Sequence, residues 1–252
     1  MNKFDKQSMG HNLISISEAA KILGVSIDTL RRWDKAGQLL SIRSGIRGHR
    51  FYNKSEVEQF TQDQYSIAKK WVELTQGVEP EAHVYCQTRD VFQARLENLQ
   101  SKLKREMSLT TTSLVTAVAG EIGNNSFDHN LGNWPDVAGI FFSYSMRNRI
   151  VVLADRGQGI LTTLKRVRPE LANAQEALKV AFTETISGRQ PETRGNGLKF
   201  VRQIIVDNPF TLFFQSGNAY LYLTQHDKDI IVKQANTFIG GCFAKIDFTG
   251  GI

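Results

Sequence analysis

Three short segments constrain this chain most: Glu121-x-x-x-Asn125-x-x-Asp128, then Asp155-Arg156-Gly157-Gln158-Gly159, then Arg194-Gly195-Asn196-Gly197-Leu198. Short glycine patterns recur by chance, so order and spacing carry the weight. On a helix over 112–130, at about 100° per residue, Glu121, Asn125 and Asp128 point to nearly one side. Leu114, Val115, Val118 and Ile122 are then free to pack inward. The apolar run 150–154 reads as a buried strand with Asp155 at its end. Gly157 and Gly159 let the backbone approach a ligand with no Cβ in the way. Gly195 and Gly197 precede a helical pattern at 198–205, an arrangement that turns backbone N–H groups and the helix dipole toward an anion.

The N-terminal sixty residues have a different character. Ser17 precedes a short helical stretch ended by Gly24, and Ser26 caps a second helix, 27–36, stopped by Gly37. Two short helices across a tight turn form the helix-turn-helix pattern. Glycines flank Ile46 and Arg47, as in a hairpin with an exposed tip, and Asn53 can cap a third helix through Phe60. Between Ser26 and Lys54 seven Lys or Arg face two Asp, a local excess of five against +6 for all 252 residues.

These residues resemble the winged helix-turn-helix of the MerR and excisionase-like family over about 14–62, through Arg31-Arg32-Trp33 and Gly48-His49-Arg50-Phe51-Tyr52. The resemblance implies a second helix in a major groove and a wing on the backbone or minor groove of double-stranded DNA. Thr29, Arg31 and Arg32 are the candidates for the groove; Arg43, Arg47, Arg50 and Tyr52 for phosphates or the wing. Ile22, Val25, Leu30 and Trp33 are the expected core. A protein-binding adaptor with solvated arginines is the alternative.

The three opening segments resemble the ATP site of the GHKL superfamily (gyrase, Hsp-type chaperones, histidine kinases, MutL-type repair proteins) over about 110–250. That resemblance implies a Bergerat-type α/β sandwich and makes Glu121 the general base and Asn125 the Mg²⁺ ligand. It also places Asp155 on the adenine amino group and puts Asp128, Gly157, Gly159, Arg194, Gly195, Gly197 and Leu198 about the nucleotide. Phosphoryl transfer needs positioning, a metal and a base near the water, so the residue types suit it. Cys242 stands where the superfamily has a supporting threonine. His129 matches the histidine of anti-sigma-type members, whereas no H-box surrounds His83. Residues 161–193 would form the lid, with Arg189 as well as Arg194 as phosphate contacts. Four β-rich segments follow, at 210–215, 219–224, 230–233 and 242–248.

Between these modules, Phe92, Leu96, Leu99 and Leu103 make one stripe on a helix over 91–107, either a dimer seam or a face packed on its own domain. No apolar run approaches the roughly 20 residues of a membrane span. The polar start lacks a secretory core, and Cys86 and Cys242 match no metal or redox spacing. The expectation is therefore an α+β, two-domain, cytoplasmic protein that forms a homodimer. Residues 12–62 would read DNA, 63–109 form a helical connector, and 110–252 bind ATP and Mg²⁺. Its function would be ATP-dependent switching of a DNA-binding regulator, with Mg²⁺-dependent ATP hydrolysis. An anti-sigma-like serine kinase acting on a partner protein and a non-catalytic adaptor remain the alternatives.

Overall fold

The N-terminal helices begin and end where side-chain chemistry satisfies their free backbone groups. In the computed structural model, residues 13–23, 25–43, 48–185 and 197–251 are described. A short strand, β1 (Leu13–Ser15), leads into α1 (Ile16–Leu23). The cap is Ser15 rather than the expected Ser17: its Oγ accepts from the Glu18 amide, and the Glu18 carboxylate accepts from the Ser15 amide. This reciprocal capping box fixes the start. Next, α2 (Ile27–Ala36) opens on Ser26, which accepts from the Thr29 amide, and closes at Gly37 with φ 74°. Strands β2 (Ile42–Arg43) and β3 (Arg50–Asn53) complete an antiparallel sheet in the order β1-β3-β2.

Asn53 caps α3 (Lys54–Glu73), as expected, but the helix runs well past Phe60 and through the expected boundary at 62. Its first half places Val57 and Phe60 in the small core with Leu30, Trp33 and Tyr52. Its second half places Ala68, Trp71 and Val72 against Phe141, Val152 and Phe243 of the larger sheet. One helix thus serves two cores.

The larger sheet comprises β4 (Tyr85–Cys86), β5 (Ile140–Ser145), β6 (Ile150–Asp155), β7 (Thr211–Leu223) and β8 (Val232–Asp247). Its order is β4-β5-β6-β8-β7, antiparallel throughout. Val151 and Leu153 face a core shared with α4 (Arg89–Glu106), α5 (Leu109–Asn130) and α8 (Gly197–Asp207), while Val152 and Ala154 face α3. Because helices cover both faces, β6 needs an unbroken apolar run rather than alternation. The stripe Phe92, Leu96, Leu99 and Leu103 is buried inside this core, so it is a packed face of its own chain.

One further expectation changes. The four β-rich segments fuse into β7 and β8, and the expected turn at 216–218 is instead a bulge, with register shifts on either side of Gly217. Of the expected lid, residues 186–193 lie outside the described residues; in the rest, α6 (Gly159–Lys165) and α7 (Ala174–Thr183) are packed elements: Leu164, Leu171 and Ala177 share a small core, and Phe182 meets Phe214 edge-on at 5.3 Å. No helix among the described residues is long and apolar enough to cross a membrane.

Candidate functional site

The end of β6 carries Asp155 into a fully enclosed position, 2 % exposed. One carboxylate oxygen accepts from Ser126 Oγ at 2.7 Å, the other from the Gly157 amide at 2.8 Å, and the Cys242 amide also donates to it. Burial pushes the carboxyl above the ordinary aspartate value, and those hydrogen bonds work in the opposite direction. Two glycines make the packing possible. A Cβ on Gly241 would lie 2.1 Å from Asp155 Oδ1, and one on Gly157 would lie 2.2 Å from the Asn130 amide nitrogen.

The cleft above Asp155 is lined by Ile122, Asn125, Ser126, His129, Leu198 and Cys242, among others. Gly197 starts α8 directly against α5: a Cβ there would fall 2.6 Å from Glu121 Oε2 and 3.1 Å from Asn125 Nδ2. Described residues of all three segments therefore meet at this place: Glu121 and Asn125, Asp155 and Gly159, and Gly197 and Leu198. The free space between the described residues is about 30 Å³, far below the few hundred Å³ of a small-molecule site, so a larger ligand enters only if the cleft widens. Burial lowers the His129 pKa, with Arg166 adding in the same direction. Burial drives the Cys242 thiol well up, helped by the neighbouring Asp155 charge.

Asp128 departs from the expectation. It ion-pairs with Arg89 on α4 and does not line the cleft, so α5 divides its polar edge between a structural side and an open side. Arg189, Arg194 and Gly195 lie outside the described residues. Several supporting residues escaped the sequence reading. Ser126 anchors Asp155; Asn130 accepts from the Gln158 amide; Ser216 accepts from the Ile160 amide and donates to the Gly241 carbonyl. The four-residue ladder 122, 126, 130 on α5 was the signal for the first two. No group of three or more His, Cys, Asp or Glu among the described residues could hold a metal.

The second site lies on the winged module. Arg31, Arg32, Lys35, Arg43 and Arg50 line one shallow concavity, with Asp28 and Asp34 inside it. Asp34 accepts from Arg50 at 2.8 Å, from Arg43 at 3.3 Å and from the Ser41 amide, tying α2 to the wing strands. Burial acts to raise the Asp34 pKa, but these hydrogen bonds outweigh it and hold the carboxyl well below its usual range. Two expected contacts are corrected. Thr29 is buried, its Oγ1 2.9 Å from Ser26 Oγ at the helix start, and Tyr52 is fully buried, donating to the Leu30 carbonyl. Neither lines the arginine concavity. Arg47 lies outside the described residues.

Comparison with known proteins bears on both regions. Residues 15–52 match the model of the MerR family regulatory proteins, so the chain carries a MerR-type helix-turn-helix. The type II methyltransferase M.Eco47II of Escherichia coli is 29 % identical over 219 residues, covering 79 % of this chain. The chain spans half the length of that relative. The similarity therefore reaches well beyond the helix-turn-helix, to a protein that is a methyltransferase.

Proposed function

We propose that the protein is a DNA-binding regulator whose second site takes an adenine nucleotide with Mg²⁺. The DNA half rests on the MerR-type module and the arginine-lined concavity. The nucleotide half rests on one observation: a buried carboxylate, Asp155, whose walls are kept free of Cβ atoms at Gly157 and Gly241, lies in the cleft that also receives Asn125 and the Gly197 start of α8. A carboxylate so placed suits a purine amino group, and a helix start suits phosphate.

In this reading Asp155 recognises the base, with Ser126 and the Gly157 and Cys242 amides holding its orientation. Gly197 and Leu198 offer the α8 N-terminus to the phosphates. Asn125 supplies one hard oxygen for Mg²⁺, which would rely on phosphate oxygens and water for the rest. Bound metal would neutralise charge on the transferred phosphoryl group. Glu121 beside Gly197 accepts a proton from, or orients, the attacking water. Isothermal titration with Mg-ATP tests the reading: the parent binds, Asp155→Asn does not, and Glu121→Ala binds without turnover. Absence of Mg-ATP binding in the parent would end the nucleotide half.

The methyltransferase relative favours a second reading, in which this chain serves DNA modification. Transfer of labelled methyl from S-adenosylmethionine to duplex DNA, absent from the same preparation when Mg-ATP binds, separates the two.

A further inference from the structure

A separate cavity lies between the winged module and the larger sheet. Its volume is about 560 Å³, within the usual range for small-molecule sites. From the module come α2 residues Thr29, Arg32 and Trp33; from the body come His83, Arg95, Lys102 and Tyr144. The lining contains three cationic side chains and no carboxylate. Arg95 is pinned to the wall by bonds to the His83 and Ala82 carbonyls. Lys102 forms no salt bridge among the described residues; its ammonium lies 5.1 Å from the Tyr144 ring centroid, and burial lowers its pKa. The nearby Glu106 is paired instead with Lys21.

Two buried polar atoms in this same lining have no hydrogen-bond partner: His83 Nε2 and Gln64 Oε1. The His83 side chain is 10 % exposed and packs edge-on against Trp33 at 4.5 Å. Its Nδ1 faces Glu81 Oε2 at 3.4 Å, and Glu81 is held in turn by Gln38 Nε2 at 2.7 Å. With the proton on Nδ1, Nε2 is an acceptor set in the cavity wall and shielded from solvent, so a donor reaches it as the wall adjusts around the ligand. The unpartnered atoms are thus acceptors and the fixed charges are positive; the remaining walls mix apolar side chains such as Val25, Trp33, Phe142 and Val152 with neutral polar ones, among them Asn98, Ser143 and Ser145. An orphaned buried acceptor destabilises the fold unless something donates to it.

We infer that this cavity binds a small organic anion, a carboxylate or phosphate, that also carries an O–H or N–H donor. The anion sits near Lys102 and Arg95, and the donor reaches His83 Nε2 or Gln64 Oε1. Arg32 lines both this cavity and the outer arginine concavity, so an occupied cavity draws on a charge that faces DNA.

Three probes on the full chain test the site by calorimetry. 4-Hydroxybenzoate has both features, benzoate lacks the donor, and benzyl alcohol lacks the charge. One site per chain is expected, with 4-hydroxybenzoate tightest. Lys102→Met should weaken it about ten-fold or more, the loss of one charged contact, while Lys102→Arg restores binding. His83→Phe keeps the ring against Trp33 and should erase the preference for 4-hydroxybenzoate over benzoate. Asp155→Asn should leave all three unchanged, which separates this cavity from the cleft. The inference is overturned if no probe binds, or if Lys102→Met binds as the parent does.

Discussion

The cleft at Asp155 and the arginine face of the winged module hold their polar groups in opposite ways. In the cleft, the decisive carboxylate is enclosed and every neighbour is fitted to it, from Ser126 Oγ to the missing Cβ of Gly241. On the face, Arg31 is more than half exposed and, among the described residues, pairs with Asp28 three residues away. Desolvated groups in the first setting act on stability and chemistry together; screened charges in the second act mainly on an incoming polyanion. The contrast predicts that substitutions at the cleft unfold or disable the protein, whereas those on the face alter DNA binding in a fold that survives.

The largest effect should come from Arg156, next to Asp155 and 8 % exposed. Its guanidinium ion-pairs with Asp136 and donates to the Trp71 and Leu74 carbonyls at the end of α3. Arg156→Ala strips all of these at once and should cost about 3–5 kcal/mol in chemical denaturation. A loss under 1 kcal/mol would mean that the anchor is not needed. Gly241→Ala comes next, at about 1–3 kcal/mol, because its Cβ meets Asp155 Oδ1 and backbone atoms that cannot rotate away. Gly37→Ala is the matching control on the winged module. It has φ 74° but nothing within 4 Å of its Cβ, so only the left-handed cost of roughly 1 kcal/mol applies.

The same contrast explains what the sequence revealed. Backbone requirements leave a plain mark: glycine where a Cβ cannot fit, an unbroken apolar run where both faces are covered. That is why 150–159 was readable, and why α4 and α5 fell within a few residues of expectation. Side-chain direction leaves a weaker mark. Thr29 and Tyr52 sit among arginines in sequence yet turn inward, because α2 and β3 each need one polar group aimed at the module's own backbone or helix start. Asp128 shares a helical face with Glu121 but finds Arg89, a partner from a distant segment. The continuous α3 was hidden because its two halves face different cores. The match to a methyltransferase had no counterpart in the motifs that were read.

Acid should act first at the junction between the regions. Burial, with Arg95 and Arg32 nearby, lowers the His83 pKa from 6.5 to about 4, while Glu81 stands on the opposite side. A histidine held neutral in the fold contributes stability that is present above pH 6.5 and is lost as pH falls toward about 4. Asp34 follows at lower pH: its depressed pKa gives stability present above the ordinary value of 3.8 and lost as pH falls through the lowered one. Thermal melts from pH 7 to 4 should therefore slope downward in the parent and less steeply in His83→Phe, the remaining slope including that of buried His129, whose pKa is lowered in the same way. An unchanged slope would assign the acid sensitivity elsewhere.

The smallest expected effect on stability, and the sharpest test of the contrast, lies on the arginine face. Arg50→Ala removes a 2.8 Å bond to Asp34, whose side chain is only 10 % exposed, and so should cost stability as well as DNA affinity. Arg31→Ala removes an exposed charge whose partner is 83 % exposed, so the fold should hold within about 0.5 kcal/mol. If Arg31 meets a phosphate, affinity should fall across duplex sequences, and the slope of log affinity against log salt should lessen by about one. If it reads a base, the loss should instead concentrate on one position of the site, with discrimination there relaxed. An Arg31→Ala protein with parental affinity and salt slope would remove this residue from the interface and leave Arg32, Lys35 and Arg43 to carry it.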